Sequence, residues 1–174
     1  MATYSLIESK TLSANAATVT FSSIPATFTD LLIKFSVRSS EGGFTNDQMK
    51  MRFNGVTTSS YSYTFGRGDG SGTATYRPGV TETSSLMALI NTTASTANTY
   101  SNGEVYIPNY LSATSKPSSV DMAMEQNIAS AYRTATAAVG TETTAISSIS
   151  FFLPVFGSDF LSTSSFYLYG ISNA

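Results

Sequence analysis

Apolar and polar residues alternate with a period of two along much of this chain. Between residues 31 and 38, large apolar side chains occupy every second position, and Lys34 and Arg38 fall in the polar set. The segments 49–54 and 120–125 repeat the pattern. Successive side chains of a strand point to opposite faces, so each segment predicts a strand with one buried and one solvated face. Such strands are typical of antiparallel sheets, because parallel strands are usually apolar on both faces.

Further strand candidates account for most of the remaining sequence. They are rich in β-branched and aromatic residues, and they span residues 4–8, 18–21, 60–65, 104–107, 133–139, 146–153 and 165–171. Turn-forming residues separate them, and Asn54-Gly55 predicts a type I′ turn, which needs positive φ at both central residues. Short strands at nearly regular spacing predict an all-β fold, with one antiparallel β-sandwich or barrel domain over residues 1–174.

Two segments leave the choice of element open, and two others predict loops. Residues 84–90 fit either a short helix or a buried strand, and residues 123–132 have a helical alternative. Residues 66–72 contain four glycines, and residues 91–102 are rich in small polar residues without apolar anchors. Both of these are predicted to be long loops, which commonly carry the contacts made by a rigid β scaffold.

Missing residue types exclude several chemistries. The chain has no histidine and no cysteine, so it lacks the usual acid–base shuttle, a thiolate nucleophile and the ligands of a histidine or cysteine zinc site. Asp121 and Glu125 share a predicted strand face but would lie about 13 Å apart, farther than the paired carboxyl groups of glycoside hydrolysis. We therefore predict that the protein is not an enzyme and that it carries no cofactor and no metal.

Charge and hydropathy limit the partners. The net charge is −2, and the nine lysines and arginines are scattered, whereas nucleic-acid binding rests on clustered basic residues. No apolar run approaches the roughly 20 residues of a membrane-spanning helix, and residues 1–6 lack the pattern of a secretory signal. We expect no nucleic acid and no membrane as partners, and maturation in the cytoplasm where the chain is made.

The glycine-rich segment contains the tripeptide Arg67-Gly68-Asp69, which integrin ligands display on exposed loops. A hairpin tip whose charges keep it soluble is the favoured interpretation, because a three-residue match often arises by chance. The same glycines lack the strand–turn–helix context of a dinucleotide-binding motif and the Gly-Lys-Ser/Thr end of a P-loop. No phosphate site is predicted here.

Nine of the ten tyrosines, all except Tyr4, are candidates for an interaction surface, because tyrosine combines apolar area with a polar tip. Tyr167 and Tyr169 are predicted to share a face with Ile171, and the opposite face of the same strand is also apolar. A neighbouring subunit would cover the second face, although cross-strand packing within the chain is an equal alternative. The predicted interface residues are Tyr167, Tyr169, Tyr106 and Tyr110.

Surface composition favours an assembled protein. The chain has 29 serines and 25 threonines, but only 11% of its residues are charged. The surface of a free soluble domain is usually a quarter or more charged. Serine and threonine lose less rotamer freedom on burial than lysine or glutamate does, so such a surface suits a subunit that meets other subunits.

Several segments, in order along nearly the whole chain, carry a family resemblance. They are residues 4–12 (YSLIESKTL), 19–31 (VTFSSIPATFTDL), 105–110 (VYIPNY), 114–117 (TSKP) and 165–171 (SFYLYGI). With them the chain resembles small structural proteins of tailed bacteriophages. The resemblance implies a jelly-roll-like β-sandwich that is attached to the virion. It implies no catalytic residues, and none are assigned.

Within that resemblance we favour a capsid decoration, or cement, protein. Such a protein is a homotrimer that binds the major capsid protein on the outside of the head and stabilises the shell, after assembly in the host cytoplasm. The alternative is a tail-fibre, spike or adaptor module that binds a host surface glycan through tyrosine-rich loops. A long fibre normally needs a stalk with repeats or heptads, which this sequence lacks. A polysaccharide-degrading enzyme is the third and least favoured class.

Overall fold

The computed structural model describes residues 3–70, 72–76, 81–125 and 131–172, with the backbone alone for 73–76. Every regular element in this part of the chain is a β-strand, and the strands form two antiparallel sheets. The strands are β1 (Thr3–Thr11), β2 (Thr18–Phe21), β3 (Asp30–Val37), β4 (Asn46–Phe53), β5 (Tyr61–Gly68), β6 (Thr73–Tyr76), β7 (Ser85–Asn91), β8 (Ser101–Ile107), β9 (Lys116–Glu125), β10 (Ala131–Gly140), β11 (Ile149–Phe152) and β12 (Ser165–Ser172). The predicted all-β antiparallel sandwich is confirmed.

The two sheets differ in width. The wide sheet has eight strands in the order β1-β12-β3-β8-β9-β10-β5-β6, and the narrow sheet has four in the order β2-β11-β4-β7. Along the chain, β1 to β4 alternate between the wide and the narrow sheet, β4 and β7 are paired neighbours in the narrow sheet, and the chain then returns to the wide sheet with β8, to the narrow sheet with β11 and to the wide sheet with β12. The pair β5–β6 is inserted between β4 and β7, and the pair β9–β10 between β8 and β11; both pairs extend the wide sheet beyond β8. This order is compatible with the jelly roll that the resemblance implies.

The period-two pattern determines which side chains fill the space between the sheets. Every second residue is buried along β4 and β9, and the intervening residues are exposed or half-buried. On β3 the predicted apolar set is buried as well, but Leu32 on the outer face is also only 8% exposed. Neighbouring strands of the wide sheet cover this leucine, because it lies in the middle of that sheet between β12 and β8.

The prediction for the side chain of Arg38 is wrong. We predicted a solvated side chain, but Arg38 is 5% exposed. It follows the last residue of β3, and its guanidinium donates to the carbonyl oxygens of Thr92 at 3.1 Å, Ser95 at 3.1 Å and Thr99 at 3.3 Å. Three backbone acceptors therefore replace the water that an exposed arginine would bind.

The ambiguous segment 84–90 forms a buried strand. All seven residues of β7 are buried, and β5, β9 and β10 of the wide sheet pack against this strand. The Oγ1 of Thr136 on β10 donates to the carbonyl oxygen of Met87 at 2.9 Å, so β10 also satisfies a backbone group of this edge strand.

Three other segments differ from the predicted elements or lie partly outside the described residues. β6 was not predicted, and residues 66–68 belong to β5, so the glycine-rich loop is shorter than expected. Of the segment with a helical alternative, residues 123–125 end β9 and residues 131–132 begin β10, while 126–130 lie outside the described residues.

The predicted positive φ angles of the Asn54-Gly55 turn are confirmed. The φ angles of the two residues are 51° and 67°, and the amide of Val56 donates to the carbonyl oxygen of Phe53 at 3.0 Å. The turn leads from β4 in the narrow sheet to β5 in the wide sheet, so it does not close a hairpin. The side-chain oxygen of Asn54 also accepts from the amides of Ser147 at 2.8 Å and Ser148 at 3.1 Å, which ties the turn to the chain before β11.

Candidate interaction surface

Two of the predicted interface tyrosines lie in one row across the outer face of the wide sheet. Leu6 on β1 is opposite Tyr169 on β12, Tyr169 is opposite Leu32 on β3, and Leu32 is opposite Tyr106 on β8. Residues directly opposite each other in an antiparallel sheet point to the same face. Four large side chains from four adjacent strands therefore stand side by side on the outer face.

The adjacent rows complete this surface. Tyr4 is opposite Ile171 on one side of the row, and Tyr167 is opposite Lys34 on the other side. Tyr4 is 61% exposed, Leu6 55% and Tyr167 36%, so the β1–β12 part of the surface is open to solvent. We call this surface the tyrosine face, and it consists of Tyr4, Leu6, Leu32, Tyr106, Tyr167, Tyr169 and Ile171.

The prediction for Tyr110 is corrected, because this side chain is fully buried within the chain. Its hydroxyl donates to the carbonyl oxygen of Pro25 and lies 3.5 Å from the amide of Phe28. Tyr110 follows the end of β8 at Ile107, and its ring packs into the core instead of joining Tyr106 on the outer face. It stabilises the 22–29 connection and is unavailable to a partner.

A groove of about 430 Å³ runs through the tyrosine face. Its lining residues are Tyr4, Leu32, Lys34, Glu104, Tyr106, Tyr169 and Ile171. Lys34 and Glu104 form an ion pair at 3.3 Å along one side. The groove thus combines aromatic rings with one cation and one anion that already neutralise each other.

A hydrogen bond to a buried carboxylate fixes the side chain of Tyr106. Its hydroxyl donates to Oδ2 of Asp30 at 2.8 Å, and Oδ1 of the same carboxyl group accepts from the amide of Asn109 at 2.8 Å. Asp30 is only 4% exposed. The hydrogen bond to this carboxylate, together with burial, raises the pKa of Tyr106 above its usual value. Tyr106 is therefore a neutral, fixed ring in the wall of the groove.

Beyond the groove, the outer face of the wide sheet carries mainly small side chains along this row. The row continues from Tyr106 through Ser119 and Ala137 to Thr64. Arg133 makes a two-point contact with Asp121, with Nε to Oδ1 at 2.9 Å and the terminal nitrogen to Oδ2 at 2.5 Å, and these hydrogen bonds lower the pKa of Asp121. The part of the outer face beyond the groove therefore carries small side chains and a carboxylate that is already paired within the chain.

The tripeptide Arg67-Gly68-Asp69 is engaged within the chain. The guanidinium of Arg67 lies 3.8 Å from the carboxylate of Asp69 and 5.8 Å from the centre of the Tyr132 ring. The two charges that an integrin ligand would offer are therefore directed at each other, in agreement with the interpretation as a structural hairpin tip.

Within the described ranges, no three side chains from His, Cys, Asp and Glu come together as a metal cluster. No helix in that part of the chain is long and apolar enough to span a bilayer. Asp121 and Glu125 are both exposed on β9, as expected.

Comparison with models of protein families, with curated proteins and with solved structures finds no match to this chain. The tyrosine face therefore has to be interpreted from its own geometry. Sequence reasoning found Tyr106, Tyr167 and Tyr169 but missed Tyr4, Leu6 and Leu32 as their neighbours. The alternation of Tyr4 and Leu6 was visible in the sequence, but only the β1–β12 register shows which face they join.

Proposed function

We propose that this chain is a structural protein of a tailed-phage virion, and specifically a capsid decoration protein that works through protein–protein contacts. The tyrosine face is the observation that carries this proposal. It exposes large apolar and aromatic side chains on a rigid sheet, and tyrosine is enriched at protein interfaces. Exposed apolar surface of this kind marks interaction sites on soluble proteins.

The charges around the tyrosine face also suit a protein partner. Lys34 and Glu104 are paired at 3.3 Å, and Asp121 is paired with Arg133. A surface whose charges are already paired can be covered without leaving a lone charge buried, which is the costly event at an interface. The proposed first partner is another copy of the chain, in a homotrimer, and the assembled trimer binds the major capsid protein on the head surface.

A second candidate function is supported by the groove. Tyr4, Tyr106 and Tyr169 present rings along an open channel of about 430 Å³, and Lys34 and Glu104 offer a donor and an acceptor beside them. Aromatic rings with a few polar groups form the usual lining of small-molecule sites. A host surface glycan would fit this chemistry, as a tail-fibre, spike or adaptor module would require.

The oligomeric role can be tested by placing a charge on the tyrosine face. Tyr167→Asp should convert the oligomer to monomers in sedimentation velocity while leaving the far-UV circular dichroism spectrum nearly unchanged, since Tyr167 is 36% exposed in the single chain. The matched control is Thr64→Asp, which adds the same charge at the far end of the continuous row on the same sheet. A wild-type chain that is monomeric at all concentrations, or a Tyr167→Asp variant that assembles like wild type, would contradict the self-association proposal.

The location can be tested by counting copies. A decoration protein covers the head at high copy number, whereas a fibre or spike module occurs in only a few copies per particle. Quantitative mass spectrometry of purified particles separates the two, and a cryo-EM map shows the position directly. Low copy number combined with specific binding on a glycan array would favour the second candidate.

A further inference from the structure

Four loops lie together at the end of the sandwich opposite the Asn54-Gly55 turn. They span residues 12–17, 38–45, 92–100 and 153–164. Phe160 forms β-bridges with both Ala16 and Ser39, and the amide of Thr93 donates to the carbonyl oxygen of Glu41 at 2.8 Å. These contacts connect all four loops, and we call this region the four-loop end.

Two of these loops expose a compact apolar group. The rings of Phe44 and Phe156 stack with their centres 4.9 Å apart and an angle of 14° between their planes. Phe44 is 59% exposed, Phe156 42% and Val155 46%. We call Phe44, Val155 and Phe156 the aromatic tip. Among the residues whose side chains the structure describes, these three account for most of the strongly exposed large apolar ones outside the tyrosine face, and such a group marks an interaction site.

The aromatic tip is held by the loops beneath it. The Oγ1 of Thr92 donates to the carbonyl oxygen of Phe44, and the Oγ of Ser95 donates to that of Thr45 at 2.7 Å. The buried guanidinium of Arg38 in turn binds the carbonyl oxygens of Thr92 and Ser95. The loop that carries Phe44 is therefore fixed before any partner arrives, which lowers the entropic cost of binding.

The charges of the four-loop end are mainly negative at its surface. The four loops contain one cation, Arg38, and two carboxylates, Glu41 and Asp159. Arg38 points inward at backbone carbonyls, whereas Glu41 and Asp159 are partly exposed. Complementary charge sets the orientation and the association rate of a complex, so these two carboxylates favour a partner surface that carries lysine or arginine.

We infer that the four-loop end is the surface by which the protein attaches to its larger assembly, with the aromatic tip entering an apolar depression bordered by basic residues on another protein. This inference rests on the proposed virion function and assigns the attachment to the end of the sandwich, while the tyrosine face serves contacts between copies. Attachment and self-association then use different residues and can be lost separately.

Binding of the purified chain to capsids assembled without it tests the inference. The double variant Phe44→Ser/Phe156→Ser should bind such capsids at least about tenfold more weakly than wild type in a co-sedimentation titration. Its oligomeric state in sedimentation velocity should be unchanged. The matched control is Leu111→Ser, which removes an exposed apolar side chain (37% exposed) from the loop at the opposite end of β8 and should bind like wild type.

The possible outcomes distinguish failure of attachment through the four-loop end from failure of the decoration proposal on which it rests. Wild-type binding with an unchanged affinity of the double variant overturns the inference and leaves the decoration proposal standing. Failure of the wild-type chain to bind the capsids overturns both. A double variant that becomes monomeric identifies a second copy as the occupant of the aromatic tip, and this also overturns the inference.

Charge complementarity is tested separately with Asp159→Asn, a variant that removes one carboxylate without changing side-chain size. Wild-type binding should weaken several-fold between low and high salt, because salt screens exposed charges over about 8–10 Å. The variant should bind more weakly than wild type at low salt and respond less to added salt. Equal or tighter binding of the variant at low salt would contradict a basic border on the partner.

Discussion

Gly103 provides the sharpest test of how the wide sheet packs. It lies in β8, between β3 and β9. A Cβ at this position would be 2.5 Å from the carbonyl oxygen of Asp121, 2.8 Å from Cζ of Phe35 and 2.9 Å from the Cβ of Met122. Non-bonded carbon atoms normally stay about 3.5–4.0 Å apart. Phe35 and Met122 are buried, and the Asp121 oxygen belongs to the backbone of the adjacent strand, so no flexible side-chain end can move aside.

The cost of Gly103→Ala can be worked out from these contacts. Overpacking a core position costs about 1–3 kcal/mol, and displacing β9 weakens one or two ladder hydrogen bonds with a net value of about 1 kcal/mol each. The lower entropy of the unfolded alanine chain returns about 0.4–1 kcal/mol. We expect a loss of about 3 kcal/mol from the free energy of unfolding, which for a domain of this size lowers the melting temperature by about 6–12 °C.

Urea denaturation followed by circular dichroism measures this loss. The control is Gly66→Ala in β5 of the same sheet, where the nearest atom to the added Cβ is the carbonyl oxygen of Ala135 at 3.9 Å. This variant should change the free energy of unfolding by less than about 1 kcal/mol. If the two alanine variants unfold at the same urea concentration, the close approach of β8 to β9 is refuted.

Three further substitutions probe buried polar groups. The hydroxyl of Thr134 is buried and has no hydrogen-bond partner within the described residues. Thr134→Val should therefore raise the free energy of unfolding, measured by urea denaturation, by about 1 kcal/mol. A lower free energy of unfolding in the variant would show that a bound water satisfies the hydroxyl in the wild type. Tyr110→Phe leaves the carbonyl oxygen of Pro25 without its donor and should cost about 1–3 kcal/mol, with no change in sedimentation because Tyr110 is internal. Burial raises the pKa of Asp47, so the folded state holds this proton more tightly than the unfolded state does, and stability is lost as pH rises from about 4 through the raised pKa. Asp47→Asn should remove that loss, and parallel stability–pH curves for variant and wild type would contradict it.

The strands were predictable where the pattern is local. β4 and β9 have one buried and one solvated face, and a period of two shows this within eight or ten residues. β7 was ambiguous because a strand that is buried on both faces has the same composition as a buried helix segment. The burial of Arg38 was not predictable at all, since its acceptors come from residues 92–99, more than fifty positions away in the sequence.

The candidate site was predictable only in part, for a related reason. Tyr167 and Tyr169 could be placed on one face from their own strand. Their neighbours depend on the register between β1 and β12, and that register shifts between Leu6 and Glu8. A bulge of this kind changes which residues share a face. Tyr110 was misplaced because strand periodicity does not extend past the end of β8 into the following turn.

The unequal width of the two sheets has a consequence for how such a subunit can vary. Both inserted strand pairs are added at the same side of the wide sheet, beyond β8, where β5, β9 and β10 pack against β7 of the narrow sheet. Lengthening either hairpin at its turn enlarges the footprint of the subunit and leaves the path of the other eight strands unchanged, whereas removing the hairpins would uncover β7. Relatives of this chain are then expected to differ mainly in the turns within residues 61–76 and 116–140 and to keep the remaining framework intact.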